Sequence, residues 1–196
     1  MLNIHTIPLG PLQTNCYILR QGDSRTCVVI DPGQQPQPLL QYLQQQDLEV
    51  AAILLTHGHF DHVGGVRTLV AETDAPVYLN DADLVLPPQM TDGPLYYTDS
   101  FGGGSELQIA GLSFRTISTP GHTPGSLCIF CEDCMFSGDT LFAGSCGRTD
   151  FPGGSPKAML ASLHRLSELD GDYRVFPGHG ESTTLALEKQ YNPYMN

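Results

Sequence analysis

The chain has 196 residues, 40% of them apolar and 15% charged, which is enough for one sizeable core and outside the composition of disordered chains. Nine Lys and Arg stand against 21 Asp and Glu, a formal net charge of −12, so no basic stripe exists for a nucleic-acid backbone. No apolar run approaches ~18 residues, and Met1 to His5 lacks the basic start of a secretion signal. Together with six cysteines, this predicts a cytoplasmic protein with free thiols and no disulfide scaffold.

Leu2 to Pro8, Cys16 to Leu19 and Cys27 to Ile30 read as strands, the last ending at Asp31-Pro32-Gly33. Pro36 to Gln46 places Leu39, Leu40 and Leu43 at helical spacing. Ala51 to Leu55 is a continuous apolar run of the buried-strand type, bounded by Thr56. Val66, Leu69 and Val70 mark a second helix after Gly64-Gly65. Asp81 to Gly104 is irregular and rich in Gly, Pro and Asp, which predicts a surface loop near a site. Leu107 to Ile109, Leu112 to Ser118, Leu127 to Cys131 and Cys134 to Ser137 read as further strands. A long helix is expected from about Pro156, with Met159, Leu160, Leu163, Leu166 and Leu169 at helical spacing. Val175-Phe176 reads as a last short strand, with a terminal helix starting near Ser182 or Thr183. Strands and helices in two similar halves predict an α/β fold, with two sheets face to face and helices outside, as one domain over residues 1–196.

The chemistry concentrates in Thr56-His57-Gly58-His59-Phe60-Asp61-His62, where three of the seven His and one Asp follow a buried strand. Placed in a loop, such a string turns several donors toward one centre, and His nitrogen and Asp oxygen suit Zn²⁺ and similar ions. The competing explanation is a His-rich surface loop. Three more candidates sit at expected strand ends, each after a Gly: His122 in Pro120-Gly121-His122, Asp139 in Ser137-Gly138-Asp139 and His179 in Pro177-Gly178-His179. Singly, each reads more simply as a turn residue; together, donors on one rim of a sheet core can converge whatever their separation in sequence. The Cys128, Cys131, Cys134 spacing lacks the second pair that a zinc site needs, and on a strand Cys128 and Cys131 point to opposite faces. Buried free thiols are expected there and at Cys16 and Cys27. His5 and His164 fall inside strand and helix patterns and are expected to be structural or exposed.

The order H-x-H-x-D-H, then H, D and H, extending from Asp31 to His179, resembles the metallo-β-lactamase superfamily. The resemblance implies an αβ/βα four-layer sandwich with the site at one edge of the two sheets. It implies His57, His59 and His122 on one metal, Asp61, His62 and His179 on a second, and Asp139 bridging them. Asp31 matches the carboxylate that supports the ligand loop from behind. Asp139 stands where antibiotic-hydrolysing members place a Cys, which points away from antibiotic hydrolysis. The segment from Gly144 to Phe151 and the ending Tyr191-Asn192-Pro193-Tyr194 look most similar to short glyoxalase II-like hydrolases, which act on glutathione thioesters, chiefly S-D-lactoylglutathione.

That resemblance implies a small-molecule thioester substrate and two divalent ions, with Zn²⁺ the expected metal and Fe or Mn the alternatives such donors accept. Arg148 falls where glyoxalase II grips glutathione with a Lys, and Asp150 falls where it uses a Tyr. No counterpart of the helical glutathione-binding domain of those enzymes is expected, so the expected grip rests on Arg148, unless Arg148 is simply an ion-pair partner of Asp150. The expected chemistry is attack on the carbonyl by a hydroxide held on the metals, with Asp61 and Asp139 acting at the catalytic centre. A thiol leaving group has a parent pKa of about 8.5 and needs little acid help. Two other classes stay open: a mononuclear-iron persulfide dioxygenase, which shares the His-rich loop and a similar Gly-Arg-Thr-Asp stretch, and a non-catalytic metal-binding protein, against which the complete ligand set argues. Neither nucleic acid nor a membrane is an expected partner.

Overall fold

The computed structural model describes residues 1–195. The first sheet runs β1 (Leu2–Leu9), β2 (Thr14–Gln21), β3 (Thr26–Ile30), β4 (Glu49–Leu54), β5 (Val77–Leu79) and β6 (Asp99–Ser100), in that order. The first three strands are antiparallel neighbours and the rest pair in parallel. Parallel pairing needs crossovers, which carry α1 (Gln37–Gln45), α2 (Phe60–Val63), α3 (Val66–Thr73) and α4 (Pro88–Thr91). The second half contains β7 (Glu106–Ile109), β8 (Leu112–Ser118), β9 (Leu127–Cys131), β10 (Cys134–Gly138), the hairpin β11 (Leu141–Phe142) and β12 (Ser145–Cys146), α5 (Pro156–Ser167), β13 (Arg174–Pro177), β14 (Thr183–Thr184) and α6 (Leu185–Tyr191). Its sheet is ordered β14-β13-β10-β9-β8-β7.

Strand alternation builds the layers. Tyr17, Leu19, Val28, Ile30, Ala52 and Leu54 meet Phe114, Leu127, Ile129 and Phe136 of the second sheet in one buried cluster. Their neighbours Cys16, Ile18, Cys27, Val29 and Ile53 face the other way, onto Leu39 and Leu43 of α1 and Val66 and Leu69 of α3. Phe130, Met135 and Val175 likewise pack on Met159, Leu163 and Leu166 of α5 and on Leu185 of α6. A strand covered on both faces must be apolar throughout, which explains the continuous runs in the sequence and gives the expected four-layer sandwich. Each fully buried Leu, Ile or Phe contributes about 1.5–3 kcal/mol, so both faces of the strands add to the stability of the frame that carries the strand ends.

Several boundaries differ from expectation. β2 begins at Thr14, before the apolar run, and α5 stops at Ser167, leaving Leu169 outside it. Thr183–Thr184 pairs with β13, and the terminal helix starts only at Leu185, where the Thr184 hydroxyl accepts from Leu187 N. The segment from Asp81 to Gly104 is not a plain surface loop. Its Asn80 cap and Pro88 start a 3₁₀ turn (Asp81–Val85) and α4, it contributes β6, and Asp83 and Thr91 are buried. The cysteines behave as read: Cys131 pairs across from Cys134 and faces the inter-sheet core, Cys128 faces α5, and all three are free. Burial pushes each of these thiols up to about 12, so they are poor nucleophiles.

Candidate metal centre

All the strands that carry candidate donors end on one rim of the sandwich. The His-rich stretch follows β4, yet it is not all loop: His59 is the N-cap of α2, and Asp61 and His62 lie inside that helix. One helical turn therefore places Asp61 and His62 side by side, while the extended residues before it carry His57 and His59. His122 sits in the loop after β8, Asp139 directly after β10 and His179 two residues beyond the end of β13. Glycines allow the close approach. Gly138 has φ +48°, and a Cβ on Gly178 would overlap Asp139 Oδ1 and His62 Cε1.

The seven candidates converge. Donor atoms of His57, His59 and His122 lie within 4.8 Å of one another, and so do those of Asp61, His62 and His179. Asp139 stands between the two triads. Its Oδ1 is 3.4 Å from His62 Nε2, and its Oδ2 is 3.4 Å from His122 Nε2 and 3.6 Å from His179 Nε2. His59 Nδ1 and His122 Nε2 are 2.8 Å apart, and His179 Nε2 is 3.1 Å from Asp61 Oδ2.

The surrounding hydrogen bonds fix which nitrogen faces inward. Asp31 Oδ2 accepts from His62 Nδ1 at 2.8 Å and from Thr56 Oγ1 at 2.6 Å, while its Oδ1 accepts from Thr56 N at 2.8 Å. Since the Thr56 proton goes to Asp31, His57 Nδ1 donates to Thr56 Oγ1 at 3.1 Å. His122 Nδ1 donates to Arg148 O and His179 Nδ1 to Leu12 O. In the neutral rings this leaves the four Nε2 atoms as the acceptors, turned toward the centre. His57 Nε2, His59 Nε2, His62 Nε2 and Asp139 Oδ1 are buried without a hydrogen-bond partner among the described residues. Each orphaned buried atom costs about 1–3 kcal/mol, and a cation offsets that cost. The His/Asp cluster fits a dinuclear metal site.

The electrostatics follow the same geometry. Burial, reinforced by the neighbouring imidazoles, pushes His57 far below its ordinary value and His59 down to about 3. Burial would lower His62 too, but the charges of Asp139 and Asp31 outweigh it and hold it well above. Burial would raise Asp61 and Asp139. For Asp61 the hydrogen bond from His179 and the charge of His62 win, for Asp139 the charge of His62 wins, and both carboxyls stay below the usual range.

An open cavity of about 620 Å³ reaches the cluster, walled by Leu12, Phe60, Met90, Phe142, Phe151 and Arg148. Arg148 is the ion-pair partner of Asp150 and also borders the cavity. It lies over the Phe151 ring at 3.8 Å, and its guanidinium is paired bidentately with Asp150, at 2.7 Å for each bond. His5 and His164 lie outside the cluster: His5 is exposed and stacks on Tyr42, and His164 is exposed beside Glu168. The sequence reading missed Thr14, whose hydroxyl donates to Asp61 Oδ2 at 2.9 Å, and Asn15, which pins the His179 loop through Pro177 O and Gly180 O. It also missed Asp83, which is fully buried behind the His-rich turn.

Fold and site together define a sandwich metalloprotein with a paired His/Asp cradle at the edge of its sheets. The chain belongs to the metallo-beta-lactamase superfamily, whose sequence profile matches residues 9–179. It is similar to the probable metallo-hydrolase YqgX of Bacillus subtilis (35% identical, covering 97% of this chain and 96% of that one) and to the hydroxyacylglutathione hydrolase GloC of Haemophilus influenzae (34%, covering 100% and 99%). Among solved structures it superposes on the BLEG-1 B3 metallo-beta-lactamase with a TM-score of 0.90 (36% identical, 100% of both chains). TTHA1623 in a di-iron-bound form gives 0.86 (42% identical, 97% and 99%), and ETHE1 from Myxococcus xanthus gives 0.80 (28% identical, 97% and 83%).

Proposed function

We propose that the chain is a dinuclear metal-dependent hydrolase of small-molecule thioesters, with glutathione thioesters such as S-D-lactoylglutathione as the leading substrates. The observation that carries this reading is the Asp139 carboxylate, set between two complete triads at the floor of a cavity walled by apolar groups and Arg148. His57, His59 and His122 would hold one ion, Asp61, His62 and His179 the other, and Asp139 would touch both. The likeness to a hydroxyacylglutathione hydrolase supports the substrate class, and the likeness to a di-iron-bound protein supports two ions per chain. We take zinc as the resident metal because imidazole and carboxylate donors suit it. The six unpaired cysteines and the charge of −12 suit a small-molecule enzyme of a reducing cytoplasm, acting as a single domain without nucleic-acid or membrane partners.

Bound divalent ions supply an activated water near neutral pH and polarise the scissile carbonyl. The protein's part is to keep its donors in place and ionised. Thr14 and His179 hold the Asp61 carboxylate ionised and turned inward. Asp31 fixes the His62 ring, and the Arg148 carbonyl fixes His122. Phe60, Phe142 and Phe151 give the cavity beside the cluster an apolar wall. The Arg148 guanidinium, already shared with Asp150, is the only Lys or Arg group lining the cavity among the described residues, so it gives a weak grip on the substrate's carboxylates.

Metal analysis and turnover on one sample test the reading. Two ions per chain, with hydrolysis of S-D-lactoylglutathione lost on chelation and restored by Zn²⁺, is the expected result. Arg148→Ala should raise KM for that substrate more than for a neutral thioester. One iron per chain, with oxygen consumed in the presence of glutathione persulfide and no thioester turnover, would replace it with the dioxygenase reading. Turnover of a β-lactam alone would replace it with that of the BLEG-1 likeness.

A further inference from the structure

Asp83 is fully buried in the 3₁₀ turn Asp81–Val85, outside both triads. Its Oδ2 accepts from Gly58 N at 2.7 Å and from Thr123 Oγ1 at 3.0 Å, and its Oδ1 accepts from Gly125 N at 2.6 Å. Gly58 separates His57 from His59, and Thr123 follows His122. One carboxylate thus ties together the two loops that carry a single triad. The fit is close: a Cβ on Gly125 would lie 2.6 Å from Asp83 Cγ, and one on Gly58 would lie 3.3 Å from Asp83 Cβ. Asn80 steadies the same turn, accepting from Ala82 N and donating to Gly125 O at 3.0 Å.

The other triad has separate supports: Thr14 for Asp61, Asp31 for His62 and the Leu12 carbonyl for His179. Within the first triad, the His57 and His122 rings have Thr56 and the Arg148 carbonyl. The His59 ring makes no hydrogen bond to a hydroxyl, carbonyl or carboxylate among the described residues; its one ring hydrogen-bond partner there is His122. Its place therefore depends on the backbone, which Asp83 holds at Gly58 on one side and α2 holds on the other, where the His59 carbonyl accepts from His62 N and Val63 N.

We propose that Asp83 is a positioning residue for one metal position only, setting the spacing between the His57–His59 turn and the His122 loop and so the affinity of the His57/His59/His122 site. The inference rests on the ligand assignment proposed above. The carboxylate form matters, because Asp83 takes three donors and offers none. In Asp83→Asn the new NH₂ must face either Gly125 N–H or Gly58 N–H, placing two donors head-on in a buried site.

The test uses full-length, metal-stripped protein titrated with Zn²⁺ against a chromophoric chelator. Two one-site backgrounds are needed: His179→Ala, which spares the first triad, and His59→Ala, which spares the second. Asp83→Asn should weaken the remaining site ~10–100-fold in the His179→Ala background, the range lost when a group orienting a metal ligand is removed. It should leave the remaining site in the His59→Ala background unchanged. Asn80→Ala, which disturbs the same turn but keeps the carboxylate, should lower Tm without this split. Equal losses in both backgrounds, no loss in either, or the same split from Asn80→Ala would overturn the proposal. If His179→Ala and His59→Ala do not each remove one of two ions, the ligand assignment fails instead.

Discussion

Replacing Asp31 by Asn tests how far the site depends on support from behind. Asp31 has φ +51°, a left-handed conformation that Asn tolerates as well as Asp, so the substitution adds no backbone strain. It changes one Oδ atom into NH₂ within a buried cluster of three donors: Thr56 N, Thr56 Oγ1 and His62 Nδ1. If the NH₂ takes the Oδ1 place, it opposes the Thr56 amide. If it takes the Oδ2 place, it opposes His62 Nδ1–H, and the imidazole must move its proton to Nε2, the atom aimed at the metals. Either way one buried donor is left unmet or one ligand is held in the wrong tautomer, a cost of about 1–3 kcal/mol, equivalent to roughly 5- to 150-fold in affinity. Competition titration with a chelator should show this loss at the ion held by Asp61, His62 and His179, with the fold intact by circular dichroism. Unchanged affinity for both ions, with normal turnover, would refute the claim that Asp31 sets the His62 tautomer.

Asp139→Ala should lower the content of both ions and abolish hydrolysis while the core keeps its Tm, because the carboxylate stands between both triads; His5→Ala, at the exposed Tyr42 stack, should change neither metal content nor rate. Gly178→Ala drives a methyl into Asp139 and His62, so metal content measured by elemental analysis should fall more than with Gly22→Ala, where a Cβ meets open space. Metal binding should release protons unequally. Burial pushes His179 down, but the hydrogen bond to Asp61 and the charge of Asp139 raise it overall, and His62 is raised as well, whereas His57 and His59 are lowered. An imidazole raised above its ordinary value holds its proton to a higher pH than a lowered one and must lose it to bind an ion, so affinity at the Asp61/His62/His179 site should fall more steeply on acidification than affinity at the other site. Calorimetry in buffers of different ionisation enthalpy measures the protons released; equal release at both sites would contradict the assignment.

The parts of this molecule that were legible in its sequence share a physical cause. Strands covered on both faces demand apolar side chains at every position, so Cys27 to Ile30, Ala51 to Leu55 and Leu127 to Cys131 stand out without an alternating pattern. Donors at strand ends need glycines for close packing, so His122, Asp139 and His179 carry a Gly just before them. The short elements were not legible for the converse reason. β5, β6 and β14 are two or three residues long and are held by pairing with neighbours rather than by any pattern of their own. α2 hides inside the ligand run because it is only four residues long and two of them, Asp61 and His62, are candidate metal donors, which leaves no helical periodicity to read.

The supports of the site were harder still to read, and their chemistry explains why. A metal donor must be His, Cys or a carboxylate, so it announces itself by type. A supporting group need only be a correctly placed acceptor or donor, and here these are a Thr hydroxyl (Thr14), two main-chain carbonyls (Leu12 and Arg148) and one Asp in a stretch crowded with Asp. Asp83 cannot be told from Asp81 by composition, and both lie in the same 3₁₀ turn. Only burial separates them: Asp83 is sealed against Gly58 and Gly125, while Asp81 is exposed. Three-dimensional placement, not residue type, makes the second carboxylate part of the site. The same logic applies to Asn15, whose amide joins the start of β2 to the end of β13 and so links the two sheets at the rim where His179 sits. The candidate donors, and Asp31 behind them, could be read from the line of the sequence; the parts of Thr14, Asn15 and Asp83 could be read only from the fold.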